Sequence, residues 1–212
     1  MNKEERRARL NDARLYLCTE IRDGAEELSR FLDAVLGAGV DVVQMREKTA
    51  PLDLKREAAK VFRRLADEHA TLFIVNDDPN LAASSDADGV HLGQEDESPE
   101  TARRLLGEDF LIGRSTHAPD ELLRALDEPI DYLGVGPVHP TPTKLGREGV
   151  GLDYVRFAAA NSTLPFFVTG GMNVATIPET LEAGAMRVVV VRAIAEAADP
   201  VSVVKELRAL LC

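Results

Sequence analysis

The chain is poor in cysteine and contains no long apolar run. Only two cysteines occur in 212 residues, Cys18 within an apolar stretch and Cys212 at the last position. Two such residues make neither a disulfide framework nor a CxxC metal-binding pair, and this usage fits a reducing compartment. No apolar segment approaches the roughly 18 residues that a membrane-spanning helix needs, so a membrane is not an expected partner. The stretch from Met1 to Leu10 is charged and lacks an apolar centre. No signal peptide is expected there, and the expected location is the cytoplasm. Positive charge is scarce: 25 lysines and arginines stand against 36 aspartates and glutamates, for a formal net charge of −11. Nucleic acid is therefore not expected as a partner, because its phosphates would be repelled. Small anions are not excluded, since local cations decide their binding. No GxGxxG follows the first β-rich run, which removes the landmark of an open dinucleotide-binding sheet. No serine or cysteine triad is demanded either.

What is present is alternation. Short β-rich runs fall at Leu15–Thr19, Val40–Met45, Leu72–Asn76, Gly89–Leu92, Phe110–Ser115, Tyr132–Gly136, Phe166–Thr169 and Arg187–Val191. Helical patterns separate them. Leu28, Phe31, Leu32, Val35 and Leu36 recur at helical spacing, with Gly37 and Gly39 as a stop. Leu54, Ala58, Val61, Phe62 and Leu65 repeat the pattern, Pro99 and Pro119 fit first turns, and Val201 to Leu211 carry a last stripe. After the third strand only a stub of helix fits, near Leu81–Ser85. Strict βα order implies parallel strands with right-handed crossovers. Eight strands without a linker predict an α/β protein built as a single (β/α)8 TIM barrel. One domain would span residues 1–212, with 1–14 as a charged N-terminal extension or helix. At 45% hydrophobic residues the chain can bury roughly 70% of its unfolded surface.

Polar groups gather where these strands end, which is where barrel enzymes build their sites. Gln44-Met45-Arg46-Glu47-Lys48 brings two cations directly out of an apolar run. Arginine offers a planar fork for phosphate oxygens and lysine a point charge, although loop cations are often merely solvated. Asp77 follows the third strand and Asp96 the fourth. On a common rim the two carboxylates can share one cation, and a site with oxygen ligands and open positions suits Mg2+. Helix capping would use aspartates in the same positions. Ser115 ends the fifth strand. Thr169-Gly170-Gly171 can bring main-chain N–H groups to an anion, or can be a tight turn. His91 reads as a packing or orienting residue. The stretch from His139 to Gly151, rich in proline and glycine, reads as a long loop that can act as a lid.

Taken together the segments resemble the thiamine-phosphate synthase family. They are Gln44 to Lys48; Asn76-Asp77-Asp78; Ala87 to Gln94 with Asp96; Ile112 to His117; Gly136-Pro137 through Thr141-Pro142-Thr143-Lys144; and Gly170-Gly171. They follow the family's order from about position 15 to 195. The resemblance implies a transferase that joins hydroxymethylpyrimidine diphosphate to thiazole phosphate, releasing pyrophosphate through a pyrimidine carbocation. It also implies Mg2+ held by Asp77 and Asp96. Gln44, Met45, Arg46, Glu47, Lys48, Asn76, Ser115 and Lys144 would hold the diphosphate substrate, with Arg46, Lys48, Ser115 and Lys144 assisting its departure. Thr141, Pro142, Thr143, Gly171, Val191 and Arg192 would hold the thiazole phosphate. A homo-oligomer is a further implication. One position departs from the family pattern: Arg192 stands where serine is usual, and an arginine there would either pair with the phosphate or crowd it. Two rival readings use fewer of these residues. A thiazole tautomerase would need a histidine acid/base and no diphosphate machinery. A non-catalytic regulator binding thiazole or thiamine phosphate would need no metal pair.

Overall fold

The structure, a computed structural model, describes residues 1–140 and 149–211. Eight parallel strands pair in sequence order and close on themselves. They are β1 (Leu15–Thr19), β2 (Val42–Met45), β3 (Leu72–Asn76), β4 (Gly89–Leu92), β5 (Leu111–Thr116), β6 (Tyr132–Val135), β7 (Phe166–Val168) and β8 (Val188–Val190). Closure comes from Leu15, Tyr16 and Leu17 of β1 pairing with Val188, Val189 and Val190 of β8. The connecting helices are α2 (Ala25–Gly37), α3 (Leu52–Glu68), α4 (Pro79–Ser84), α5 (Pro99–Leu106), α6 (Pro119–Ala125), α7 (Gly151–Asn161) and α8 (Ile177–Glu182). After β8 the chain forms α9 (Arg192–Ala195) and α10 (Pro200–Leu211), and α1 (Lys3–Asp12) precedes β1. This is the expected (β/α)8 barrel. Among the described residues no helix is long and apolar enough to cross a membrane.

Successive residues of a strand point to opposite faces, and here the two faces become two cores. Leu15, Leu17, Val43, Met45, Phe73, Val75, Val90, Leu92, Ile112 and Leu133 point outward and pack with the helices. Tyr16, Val42, Leu72, Ile74, Leu111, Tyr132 and Phe167 point inward and fill the lumen. Leu10 and Ala13, from α1 and its exit, join the inner cluster. The N-terminal helix is thus a plug for the base of the barrel.

A repeated aspartate secures that base. Asp41, Asp88 and Asp131 each stand one residue before β2, β4 and β6 or immediately preceding that strand's first residue. Each accepts a main-chain N–H from the start of the preceding strand: Leu15 to Asp41 at 2.9 Å, Phe73 to Asp88 at 2.9 Å, and Ile112 to Asp131 at 2.8 Å. Arginines complete the pairing. Arg208 meets Asp41, Arg6 and Arg63 meet Asp88, and Arg7 and Arg103 meet Asp131. Two of these arginines come from α1, so the plug is held by charge as well as by apolar contact.

Several strand ends differ from the sequence-based expectation. The second strand was expected from Val40 and begins at Val42, because the Asp41 carboxylate is already bonded to the N–H groups of Arg14 and Leu15. The sixth was expected to reach Gly136 and ends at Val135, where Gly136 turns at φ 141°. The fifth runs one residue later than expected at each end, and the seventh stops at Val168. The eighth is shorter than Arg187–Val191 because Val191 leaves the extended conformation (ψ −95°) to start α9. The helix expected from about Val174 starts at Ile177, since Asn173 first closes a turn with Ala175 and Thr176.

Removing one partner of a buried, hydrogen-bonded ion pair costs about 3–5 kcal/mol, whereas an exposed pair is worth about 0–1 kcal/mol. Asp131→Ala is accordingly expected to lose several kcal/mol in urea unfolding. Asp153→Ala, which breaks the exposed Asp153–Arg156 pair, should change stability by less than about 1 kcal/mol. Equal losses would contradict a structural role for the base aspartates.

Candidate active site

The carboxyl ends of the strands open into a cavity of about 530 Å3, within the range typical of small-molecule sites. Its floor is Tyr16, Tyr132 and Phe167, packed edge to face: ring centroids lie 5.3 Å apart for Tyr16–Phe167 and 5.7 Å for Tyr132–Phe167. Above them the wall is polar, with Cys18, Gln44, Arg46, Asn76, His91 and Ser115. The opposite wall comes from Thr169–Asn173 and from Val191, Arg192 and Ala193. Burial pushes up the pKa of both Tyr16 and Tyr132, so both phenols stay protonated at neutral pH.

The segment Asn76-Asp77-Asp78 divides three tasks. Asn76 ends β3 and lines the cavity. Asp78 caps α4 by accepting the Leu81 N–H at 2.9 Å. Asp77, released from capping, takes a left-handed conformation (φ 63°) and donates its N–H to the His91 carbonyl at 2.9 Å. Aspartate tolerates this region better than most residues. Its carboxyl reaches that of Asp96, which folds back over Gly93 and accepts the Gly93 N–H at 2.7 Å. A side chain at Gly93 would press on Asp96: its Cβ would lie 2.9 Å from Oδ2. Burial and then contact with Asp96 raise the Asp77 pKa, while Lys48, 3.2 Å away, works in the opposite direction. Two carboxylates pressed together beside a lysine are a site short of positive charge. Oxygen ligands of this kind suit a hard cation, with other positions open to water or phosphate. Among the described residues no group of three or more His, Cys, Asp or Glu side chains forms a metal cluster, so the pair stands alone. A second cleft of about 410 Å3, lined by Glu47, Lys48, Lys55, Asn76, Asp77 and Asp78, adjoins it, and Asn76 belongs to both spaces.

Most residues singled out from the sequence converge here. Gln44, Arg46, Asn76, Ser115, Gly171, Val191 and Arg192 line the cavity, and Glu47, Lys48 and Asp77 line the cleft. Met45 does not reach either. Strand alternation turns it outward, where it packs against the helices at 2% exposure. Glu47 shapes its own loop, accepting hydrogen bonds from Thr49 and Ala50. Arg192 pairs with Glu196 at 3.5 Å, and both side chains line the cavity. His117 is bonded to Glu121 and is not among the lining residues. Thr141, Pro142, Thr143 and Lys144, with most of the loop read as a lid, lie outside the described residues.

Tyr16, Cys18, Tyr132 and Phe167 were not expected in the site. The available signal was strand alternation, since Tyr16 and Cys18 share a face two residues apart, as do Tyr132 and Gly134. An aromatic in a buried strand nonetheless reads first as core.

Comparison with known proteins agrees with this fold. The family model for thiamine monophosphate synthase matches residues 15–194. A thiamine-phosphate synthase from Acidothermus cellulolyticus is 48% identical over 207 residues, covering 97% of this chain and 98% of the relative. Another, from Streptomyces avermitilis, is 48% identical over 202 residues, covering 94% of each. Among solved structures, a thiamine phosphate pyrophosphorylase from Pyrococcus furiosus superposes with a TM-score of 0.85 at 32% identity, covering 95% of this chain and 96% of that one. With most of its length matched and its barrel shared, the chain belongs to the thiamine monophosphate synthase family.

Proposed function

We infer that this protein is a transferase that joins hydroxymethylpyrimidine diphosphate to thiazole phosphate, giving thiamine phosphate and pyrophosphate. The observation that carries the reading is the meeting of Asp77 and Asp96 beside Lys48, at the edge of a cavity that also holds Arg46 and Ser115. A tautomerase would have no use for that concentration of charge.

The reaction breaks the bond between the pyrimidine methylene carbon and the diphosphate oxygen. The electron pair leaves with pyrophosphate, and the methylene carbon becomes cationic. The thiazole nitrogen then donates its lone pair to that carbon, so no protein nucleophile is required. Arg46 and Lys48 would take up the growing negative charge, where fixed charges act without reorganising. Asp77 and Asp96 would hold Mg2+. When bound, the ion supplies positive charge against the diphosphate oxygens. Gln44 and Asn76, on adjacent strands, would orient the pyrimidine above the aromatic floor. The wall of Gly171, Val191 and Arg192 would receive the thiazole phosphate, with Arg192 as a direct partner of the anion. Thr141, Pro142, Thr143 and Lys144 would complete both halves, and the loop carrying them would exclude water from the cation. Residues 1–212 would act as one domain, because α1 is tied into the barrel base.

Incubation of purified protein with both substrates and Mg2+ is expected to yield thiamine phosphate and pyrophosphate. A folded protein that makes neither product would overturn the reading.

The metal pair has its own thermal signature. A carboxyl whose folded pKa is raised weakens the fold once ionised, so stability at this site falls as pH rises from the ordinary aspartate range through the raised value. In chelator at neutral pH, Asp77→Asn should therefore melt above the unchanged protein. Added Mg2+ should raise the melting temperature of the unchanged protein and leave that of Asp77→Asn where it was. An equal response of the two proteins to Mg2+ would remove Asp77 from the metal site.

A further inference from the structure

Six side chains from five strands form one hydrogen-bonded chain across the cavity floor. Cys18 Sγ lies 3.0 Å from Gln44 Oε1, and Gln44 Nε2 lies 2.9 Å from the Tyr16 hydroxyl. The Tyr16 and Tyr132 hydroxyls are 3.2 Å apart, Tyr132 is 3.2 Å from His91 Nδ1, and His91 Nε2 is 2.9 Å from Ser115 Oγ. The Ser115 carbonyl is held separately by Gln94 at 2.6 Å.

The lumen makes room for this chain at two glycines. Gly113 and Gly134 sit within β5 and β6, where glycine weakens a strand, and neither has a positive φ. Space explains them. A Cβ at Gly113 would lie 2.2 Å from the Tyr132 ring and 2.5 Å from His91 Nδ1, and one at Gly134 would lie 3.1 Å from His91 Cε1. Any side chain at Gly113 would displace the Tyr132–His91 link.

The Gln44 carboxamide gives the chain a direction. Its oxygen accepts a hydrogen bond from the Cys18 thiol and its NH2 group donates to Tyr16. The Tyr16 oxygen then serves as acceptor, and its own proton goes to Tyr132. Tyr132 in turn donates to His91 Nδ1. A neutral imidazole whose Nδ1 accepts carries its proton on Nε2. That proton goes to Ser115 Oγ, and the Ser115 proton is left for the cavity. Because both buried phenols are protonated, each can donate one hydrogen bond in this order.

We propose that His91 is a positioning residue whose Nε2–H makes the Ser115 hydroxyl a one-way donor to an anionic oxygen in the cavity. Under the reading above, on which this rests, that oxygen belongs to the departing diphosphate. His91 touches no reacting atom. It acts by denying Ser115 an internal acceptor, so that the hydroxyl reaches the cavity already oriented.

The test reads the tautomer and the anion separately. Nitrogen-15 NMR of the histidine-labelled protein is expected to show neutral His91 with its proton on Nε2. Tyr132→Phe keeps the ring and removes the hydroxyl that donates to Nδ1 and accepts from Tyr16, so the Nε2–H preference should relax in that variant. Calorimetry with inorganic pyrophosphate and Mg2+ should show Ser115→Ala weakening binding about tenfold or more, as expected for one lost hydrogen bond to a charged group. His91→Asn should weaken it comparably, and the double variant no further, because both changes remove the same bond. Three results would overturn the proposal: an Nδ1–H tautomer in the unchanged protein, an unaltered tautomer in Tyr132→Phe, or additive losses in the double variant. Lack of pyrophosphate binding by the unchanged protein would also remove the donor role. None of these readouts needs turnover, so failure to make thiamine phosphate would count against the proposed reaction and leave this result standing.

Discussion

The lumen of an eight-stranded barrel is only wide enough for side chains to fill it, so each inward residue must find its partners among the inward residues of other strands. This protein meets that constraint by grading polarity with height. The base is closed by Leu10, Val42, Leu72 and Leu111. Tyr16, Tyr132 and Phe167 occupy the middle, and Cys18, Gln44, His91 and Ser115 lie in the wall above. A buried polar atom without a partner is costly, and the two tyrosines avoid that cost by directing their hydroxyls into the chain that ends at Ser115. The apolar core and the cavity are therefore continuous, and the same phenols belong to both.

Charge is handled differently at the two ends. At the base, Asp41, Asp88 and Asp131 are matched by arginines and by main-chain N–H groups. Asp88 and Asp131 are buried and fully bonded, and such carboxylates resist change because removing any partner strands another. At the open end, Asp77 and Asp96 face each other with Lys48 beside Asp77. The fold tolerates an unfavourable pair there, in a left-handed aspartate, and such imbalance is characteristic of functional sites. A closed base and an under-compensated mouth are what a barrel needs if stability and ligand binding are to be separated along one axis.

Much of this was legible in the residues. Strict alternation of β-rich and helical runs was enough for the barrel, because parallel strands with crossover helices allow few other closures. Asp77, Asp96, Arg46 and Lys48 could be placed on one rim because strand ends in a barrel share a face. The aspartates before β2, β4 and β6 were not read as a set. Their partners lie far away in the chain, as with Arg7 and Asp131 or Arg208 and Asp41. Nor could the division of labour within Asn76-Asp77-Asp78 be read locally, since either aspartate suits a cap until the backbone angle at Asp77 is known.

The order of strands and helices, the identity of the rim residues and the acidic surface follow from the sequence alone, since each depends on local periodicity or composition. The hydrogen-bonded floor does not. Cys18 and Gln44 are 26 positions apart, Tyr16 and Tyr132 are 116, and His91 and Ser115 are 24. Pairing of neighbouring strands sets Cys18 level with Gln44 and His91 near Ser115, and closure of the sheet brings Tyr16 across the lumen to Tyr132. Gly113 and Gly134 read as weak points in their strands until the pairing of β4, β5 and β6 brings the Tyr132 and His91 rings into the space they leave.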